Sequence, residues 1–188
     1  MLISILANAP LVSIPVFILI NYVESGGMFV LFSGVSVLFA GVIPILTIVL
    51  WSLKIKKISL DIPKTEDRPL PLVCAIISYF TGTIILYLLH APWLVLALMF
   101  CYCTNTLIVF VITFFWKISI HSMGITGPAT ALIFAIGLPG FMFGILVLPV
   151  MWSRVHLHRH SISQVLAGAC LGVLLTGTQM FLIENLIR

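Results

Sequence analysis

Residues 118–152 read ISIHSMGITGPATALIFAIGLPGFMFGILVLPVMW, and His121 is the one ionisable side chain among them. As a single straight helix this stretch would run about 52 Å against roughly 30 Å of bilayer hydrocarbon, so one crossing would demand extreme tilt. As two helices each half is a little short, but each can borrow a turn from its polar neighbour. Leu138-Pro139-Gly140 supplies a reversal between them. The fold hangs on this choice, because two crossings return the chain to the side it left and one does not.

Four apolar stretches precede this one, at 5–23, 28–53, 70–89 and 93–115, and one follows at 162–186. Each approaches or exceeds the roughly 20 residues that a membrane helix needs. The Glu24–Gly27 turn and the break at His90-Ala91-Pro92 separate them. Three polar segments stand at the ends of these stretches: Asp61–Pro69 (DIPKTEDRP), Lys117–His121 (KISIH) and Ser153–Gln164 (SRVHLHRHSISQ). The first two face the same side by parity, and the third joins them only if 118–152 crosses twice. A shared site therefore predicts an all-α, polytopic transmembrane helical bundle. It has seven helices, or six if residues 5–23 lie in the interface.

Composition sets the same class. Of 188 residues, 62% are hydrophobic and 7% charged, with a mean hydropathy of +1.29. Soluble domains carry about 25% charged residues. The expectation is one integral-membrane domain over 1–188, embedded in a lipid bilayer, with no polar stretch long enough to fold separately. The first apolar stretch lacks the basic leader and small-residue cleavage site of a secretory signal, so it is expected to be retained. Cys74, Cys101, Cys103 and Cys170 all lie in apolar stretches and C-Y-C is not a metal or redox spacing, which points to structural thiols. No nucleic-acid motif or soluble basic face is present, so nucleic acid is not an expected partner. Eight of the nine basic residues (all but Arg188) fall on the side of the polar segments, which the positive-inside rule makes cytoplasmic.

The polar residue types suit an anion. His160 and Gln164 lie one helical turn apart, so a Gln amide oxygen can accept one imidazole N–H and leave the other ring nitrogen with a free lone pair. An interfacial histidine is the plainer reading of the same pair. Arg154 offers a planar fork for phosphate oxygens, or a basic anchor at a helix end. Ser153 can cap a helix or donate to an anion. Lys117, Ser119 and His121 bring a charge, a hydroxyl and a transferable proton. Gly124 and Gly127 behind them serve either close backbone approach to an anion or helix packing. Arg68 precedes Pro69 and follows Lys64 by four residues, with Asp61, Glu66 and Asp67 near enough to pair with these cations. His156-x-His158-x-His160 fans out on a helix and has no nearby carboxylate, so no metal is expected.

In this order the segments resemble the membrane-bound type 2 phosphatidic acid phosphatase superfamily, which also contains the vanadium haloperoxidases. Its motifs are K-x6-R-P, P-S-x-H and S-R-x5-H-x3-D. Arg68-Pro69 is similar to the end of the first, Ser119-x-His121 to the second, and Ser153-Arg154-x5-His160 to the third; Asp61, Ile118 and Gln164 stand where the family has Lys, Pro and Asp. The resemblance implies a lipid phosphatase in which His160 attacks phosphorus and His121 protonates the departing alcohol. Arg68, Arg154 and Ser119 hold the phosphoryl oxygens, with Lys64 or Lys117 supplying the charge that Asp61 lacks. Gln164 takes the orienting position beside His160. It further implies no cofactor or metal and a lipid phosphate as substrate: polyprenyl (pyro)phosphate, phosphatidate or phosphatidylglycerol phosphate. A non-catalytic lipid-phosphate binder on the same scaffold is the alternative. A small transporter ranks third, because the span interiors hold little beyond Asn105 and Gln179 to serve ions.

Overall fold

The computed structural model describes residues 7–54 and 65–187, and these are helical with no strand among them. Helix α1 (Ala9–Glu24) is followed by α2 (Phe29–Val37), a π-turn (Leu38–Val42) and α3 (Ile43–Lys54), which together form one long rod from Gly26. Helices α4 (Pro69–Leu88) and α5 (Trp93–Thr113) form a hairpin closed at His90, whose φ is +56°. Then come α6 (Ile120–Ile136), α7 (Leu138–Gly144), α8 (Val147–His156) and α9 (Ile162–Ile187). Prolines stand where helices begin, at Pro10, Pro69 and Pro139, positions whose missing N–H costs nothing.

Five of these rods are long and apolar enough to cross a membrane: Gly26–Lys54, Thr65–Leu88, Trp93–Thr113, Leu138–His156 and Ile162–Leu186. The polarity of the bundle is inverted relative to a soluble protein. Leu50, Phe80, Phe115, Leu174 and Leu186 are exposed, while Arg68, Ser119, His121, Arg154 and His160 are buried. An outward apolar surface suits lipid, and the chain is an integral membrane protein. The shorter α1 and α6 also belong to the interior. Phe17 and Ile20 of α1 are fully buried, so this helix packs within the bundle.

Helix α6 is the axis of the fold. Every residue from His121 to Leu132 is buried, and α6 packs against α9, α7, α1, α8 and α5. Lipid supplies no hydrophobic drive between helices, so close contact through small residues holds such a bundle together. A Cβ on Gly168 would collide with the Ser119 carbonyl, and one on Gly172 with Thr126 Oγ1 and the Gly127 amide. A Cβ on Gly124 would lie 2.6 Å from Ala9 Cβ, and one on Gly127 3.1 Å from Thr176 Oγ1. Gly124 and Gly127 therefore serve packing, not anion approach.

The chain reverses after α6, but at Gly137 and not at Leu138-Pro139-Gly140. Gly137 takes φ +67°, and Gly140 already lies against the Leu132 and Ile133 backbone. Residues 118–152 therefore leave the polar end and come back to it. Polar groups within the bundle are paired across helices: Gln179 Nε2 donates to Asn105 Oδ1 at 2.8 Å, and Asn105 Nδ2 to Thr176 Oγ1 at 3.0 Å. The carbonyls that the π-turn frees are taken up similarly. Ser78 Oγ donates to Phe39 O at 2.7 Å and Ser13 Oγ to Ala40 O at 2.9 Å.

Candidate functional site

Three helices start at one end of the bundle, and their N-termini meet. Arg68 stands at the N-cap position of α4 without a side-chain capping bond, while the side chains of Ser119 and Ser161 cap α6 and α9. The Ser119 N–H donates to Gln164 O at 3.2 Å, which ties the start of α6 to the first turn of α9. Arg68 Nη1 donates to Ile118 O at 3.3 Å, which ties the start of α4 to the residue before Ser119. Helix N-termini carry partial positive charge, so three of them at one end of the bundle make the potential there more positive. Arg154, fully buried in the last turn of α8, comes in beside them.

After α8 the chain folds tightly into α9. The Arg154 carbonyl accepts the Arg159 N–H at 3.0 Å and the His160 N–H at 3.3 Å, while His158 takes φ +51°. This turn sends the three histidines apart. His156 stacks on Trp152 with centroids 4.9 Å apart, His158 is exposed, and His160 is turned inward and buried. Ser153 lies inside the last turn of α8, so it is not a helix N-cap as the sequence allowed.

The tautomer of His160 follows from one backbone bond. The Ser161 N–H, which can only donate, lies 3.1 Å from the Gln164 side chain and so fixes its oxygen there. That oxygen is 3.2 Å from His160 Nδ1, which must then carry the proton. Nε2 is left with its lone pair, buried and without a hydrogen-bond partner. Burial, then the charges of Arg154, Arg68 and Lys117, bring the imidazole down from its ordinary 6.5 to about 4, against the opposing Gln164 bond. His160 is thus a neutral imidazole at physiological pH, with the Nε2 lone pair in a positive field.

Ser119 Oγ accepts from the Ser122 N–H at 3.4 Å and from Ser122 Oγ at 3.0 Å. With both lone pairs engaged, its own O–H is directed to donate. His121 lies in the first turn of α6 and is buried. The structure therefore gathers Arg68, Lys117, Ser119, His121, Arg154, His160 and Gln164 from three distant segments at one end of the bundle. Lys64 lies outside the described residues, as does Asp61. Among the described residues no three His, Cys, Asp or Glu side chains come together as a metal-ligand set.

Sequence reasoning missed Ser161 and the second task of Gln164. Ser161 Oγ accepts the Gln164 N–H at 3.3 Å while Gln164 returns to the Ser161 N–H, a reciprocal capping box. The S-x-x-Q spacing ahead of an apolar run was the signal for it. The same Gln oxygen caps α9 and orients His160. The carbonyl of Ile118 was also missed as the anchor of Arg68. No protein-family model matches the chain, and comparison with curated proteins and with solved structures finds no match.

Proposed function

We propose that this chain is a metal-independent lipid phosphatase working through a phosphohistidine. The observation that carries the reading is the His160 lone pair on Nε2, held by Gln164 and surrounded by Arg154, Arg68 and Lys117. A buried neutral imidazole with cations around it is poorly placed to be a proton carrier and well placed to attack an anionic phosphorus. In the proposed cycle Nε2 attacks phosphorus and the P–O bond to the lipid breaks, with His121 delivering a proton to the departing oxygen. His121 then takes a proton from water as the water oxygen attacks phosphorus and the bond from phosphorus to His160 Nε2 breaks, which releases inorganic phosphate and restores both imidazoles. Arg68, Arg154 and the Ser119 O–H hold the phosphoryl oxygens, and the three helix N-termini add fixed positive potential.

The remaining features extend this reading. Seven helical rods cross the bilayer, α7 and α8 as one, and the site end faces the cytoplasm with the basic residues. A cysteine introduced at Glu66 would be labelled by an impermeant maleimide only after permeabilisation; labelling in intact cells reverses the orientation. The phosphatase itself is tested by phosphate release from a panel of lipid phosphomonoesters and pyrophosphates in EDTA, with His160→Ala alongside. Release that the substitution abolishes supports it. Release that requires an added divalent metal overturns the mechanism. The uncharged Gln164 favours a second reading, a lipid-phosphate binder without turnover. Its mark is binding that survives His160→Ala but not Arg154→Ala, with no phosphate released.

A further inference from the structure

A cavity of about 110 Å³ runs inward from the site between α1, α3, α4, α5 and α6. On α4 it is lined by Arg68, Pro71, Leu72, Ala75 and Tyr79, one face of the helix over three turns, so it is roughly 16 Å long. Its charged and basic groups are at the outer end, Arg68 and His121, and the walls beyond are mainly apolar. His160 and Arg154 are not among its lining residues. The inner end is stopped by Tyr79 and Tyr102, whose rings meet edge to face at 5.3 Å, with Phe17 behind Tyr102 at 5.7 Å. A second cavity of about 50 Å³, which reaches Asn105 and Thr176, lies alongside, and Ala9, Leu72, Tyr102, Thr106 and Ile120 form the wall shared by the two. The Tyr102 hydroxyl is buried without a hydrogen-bond partner.

We infer that the larger cavity receives one hydrocarbon chain of the lipid phosphate and that the Tyr79–Tyr102 pair sets the chain length it takes. The inference rests on the phosphatase reading, which it deepens. In an in-line displacement the leaving group departs opposite the nucleophile. The cavity opens beside His121, the group assigned to protonate that leaving oxygen, so the chain would lie on the side of the departing group. An anionic head at Arg68 matches the one charged residue in the lining. The depth suits a single extended chain: at about 1.2 Å per bond, 16 Å accommodates roughly thirteen bonds. A longer chain meets packed tyrosine rings, and forcing extra methylenes into a filled site weakens binding by about tenfold or more.

The test is binding of a ladder of straight-chain alkyl phosphates to detergent-purified protein, followed by calorimetry, in wild type, Tyr102→Phe and Tyr102→Ala. The ladder runs from roughly six to eighteen carbons, bracketing the depth set by helix rise over the α4 lining. Wild type should bind best near twelve carbons and about tenfold more weakly at the long end. Tyr102→Phe keeps the ring and should keep that optimum. Tyr102→Ala removes one ring of the inner stop, opens the wall shared with the second cavity at that depth and should shift the optimum to longer chains. Tyr79→Leu, which shortens the stop without emptying it, should move the optimum the same way and guards against a misfolded alanine variant. An affinity independent of chain length, an optimum unmoved in both shortened variants, or no binding at any length would overturn the inference. Length-selective binding without phosphate release from any chain would uphold it while removing the phosphatase.

Discussion

Replacing Gln164 with Glu isolates the charge that the proposed nucleophile, His160, lacks. Glu is as good a partner as Gln in a capping box, so the bond from the Ser161 N–H and the start of α9 should persist. The change places a carboxylate oxygen 3.2 Å from His160 Nδ1. At an effective dielectric near 20, a unit charge at that range is worth about 5 kcal/mol, and net of what the neutral Gln164 bond already supplies roughly three pH units remain. His160 should then titrate near 7, up from about 4. Diethyl pyrocarbonate acylates only neutral imidazole, so its reaction at His160, followed by peptide mass mapping from pH 4 to 8, reads this directly. Wild type should stay reactive down to about pH 4–5, and the Glu variant should lose reactivity below about 7. The acid limb of the phosphate-release profile should move with it. Equal midpoints in the two proteins would refute the bond between His160 and residue 164, and a wild-type midpoint near 6.5 would refute the buried positive field.

The same depressed value makes stability depend on pH. The unfolded chain binds a proton at His160 below about 6.5 and the folded one only below about 4, so stability should fall as pH drops from 6.5 to 4. Thermal unfolding across that window should flatten in His160→Asn. Arg154→Lys keeps a charge but loses the planar fork, and phosphate release should drop about 10²- to 10³-fold with unfolding temperature nearly unchanged. Gly168→Ala drives a methyl into the Ser119 carbonyl; a loss of about 1–3 kcal/mol in stability is expected, with activity reduced as Ser119 is displaced. A stable, fully active Gly168→Ala protein would contradict the close contact of α6 with α9.

The bundle was legible because hydropathy over twenty residues is a strong signal, and most span ends fell within a few residues of the helices observed. The meeting of the three polar segments was legible through parity alone, which demanded that 118–152 go out and back. The turn itself was misplaced by a residue or two. A Pro-Gly pair attracts the eye, but Pro139 belongs to the first turn of a helix and the reversal needs positive φ only at Gly137. The widened turn at Leu38–Val42 leaves little trace in the sequence, since the serines that satisfy its carbonyls come from other helices. Gly124 and Gly127 were ambiguous because anion approach and helix packing ask for the same residue. Gln164 was seen as an altered orienting residue and not as half of a cap, although both follow from its spacing to Ser161 and His160.

The glycine contact between α6 and α9 has a mechanical consequence. With the Ser119 carbonyl against Gly168, and Thr126 against Gly172 and donating to Ala169 O at 3.0 Å, these two helices would tilt as one body when the surrounding bilayer thins or thickens. Ser119, His121, His160 and Gln164 all ride on that body or on the turn entering it. Arg68 rides on α4, across a cavity from α6, and reaches the body through its bond to Ile118. A change in membrane thickness would therefore leave the histidines in register and move the arginine against them, so the lipid environment would act on how tightly the anion is held before it acts on the chemistry.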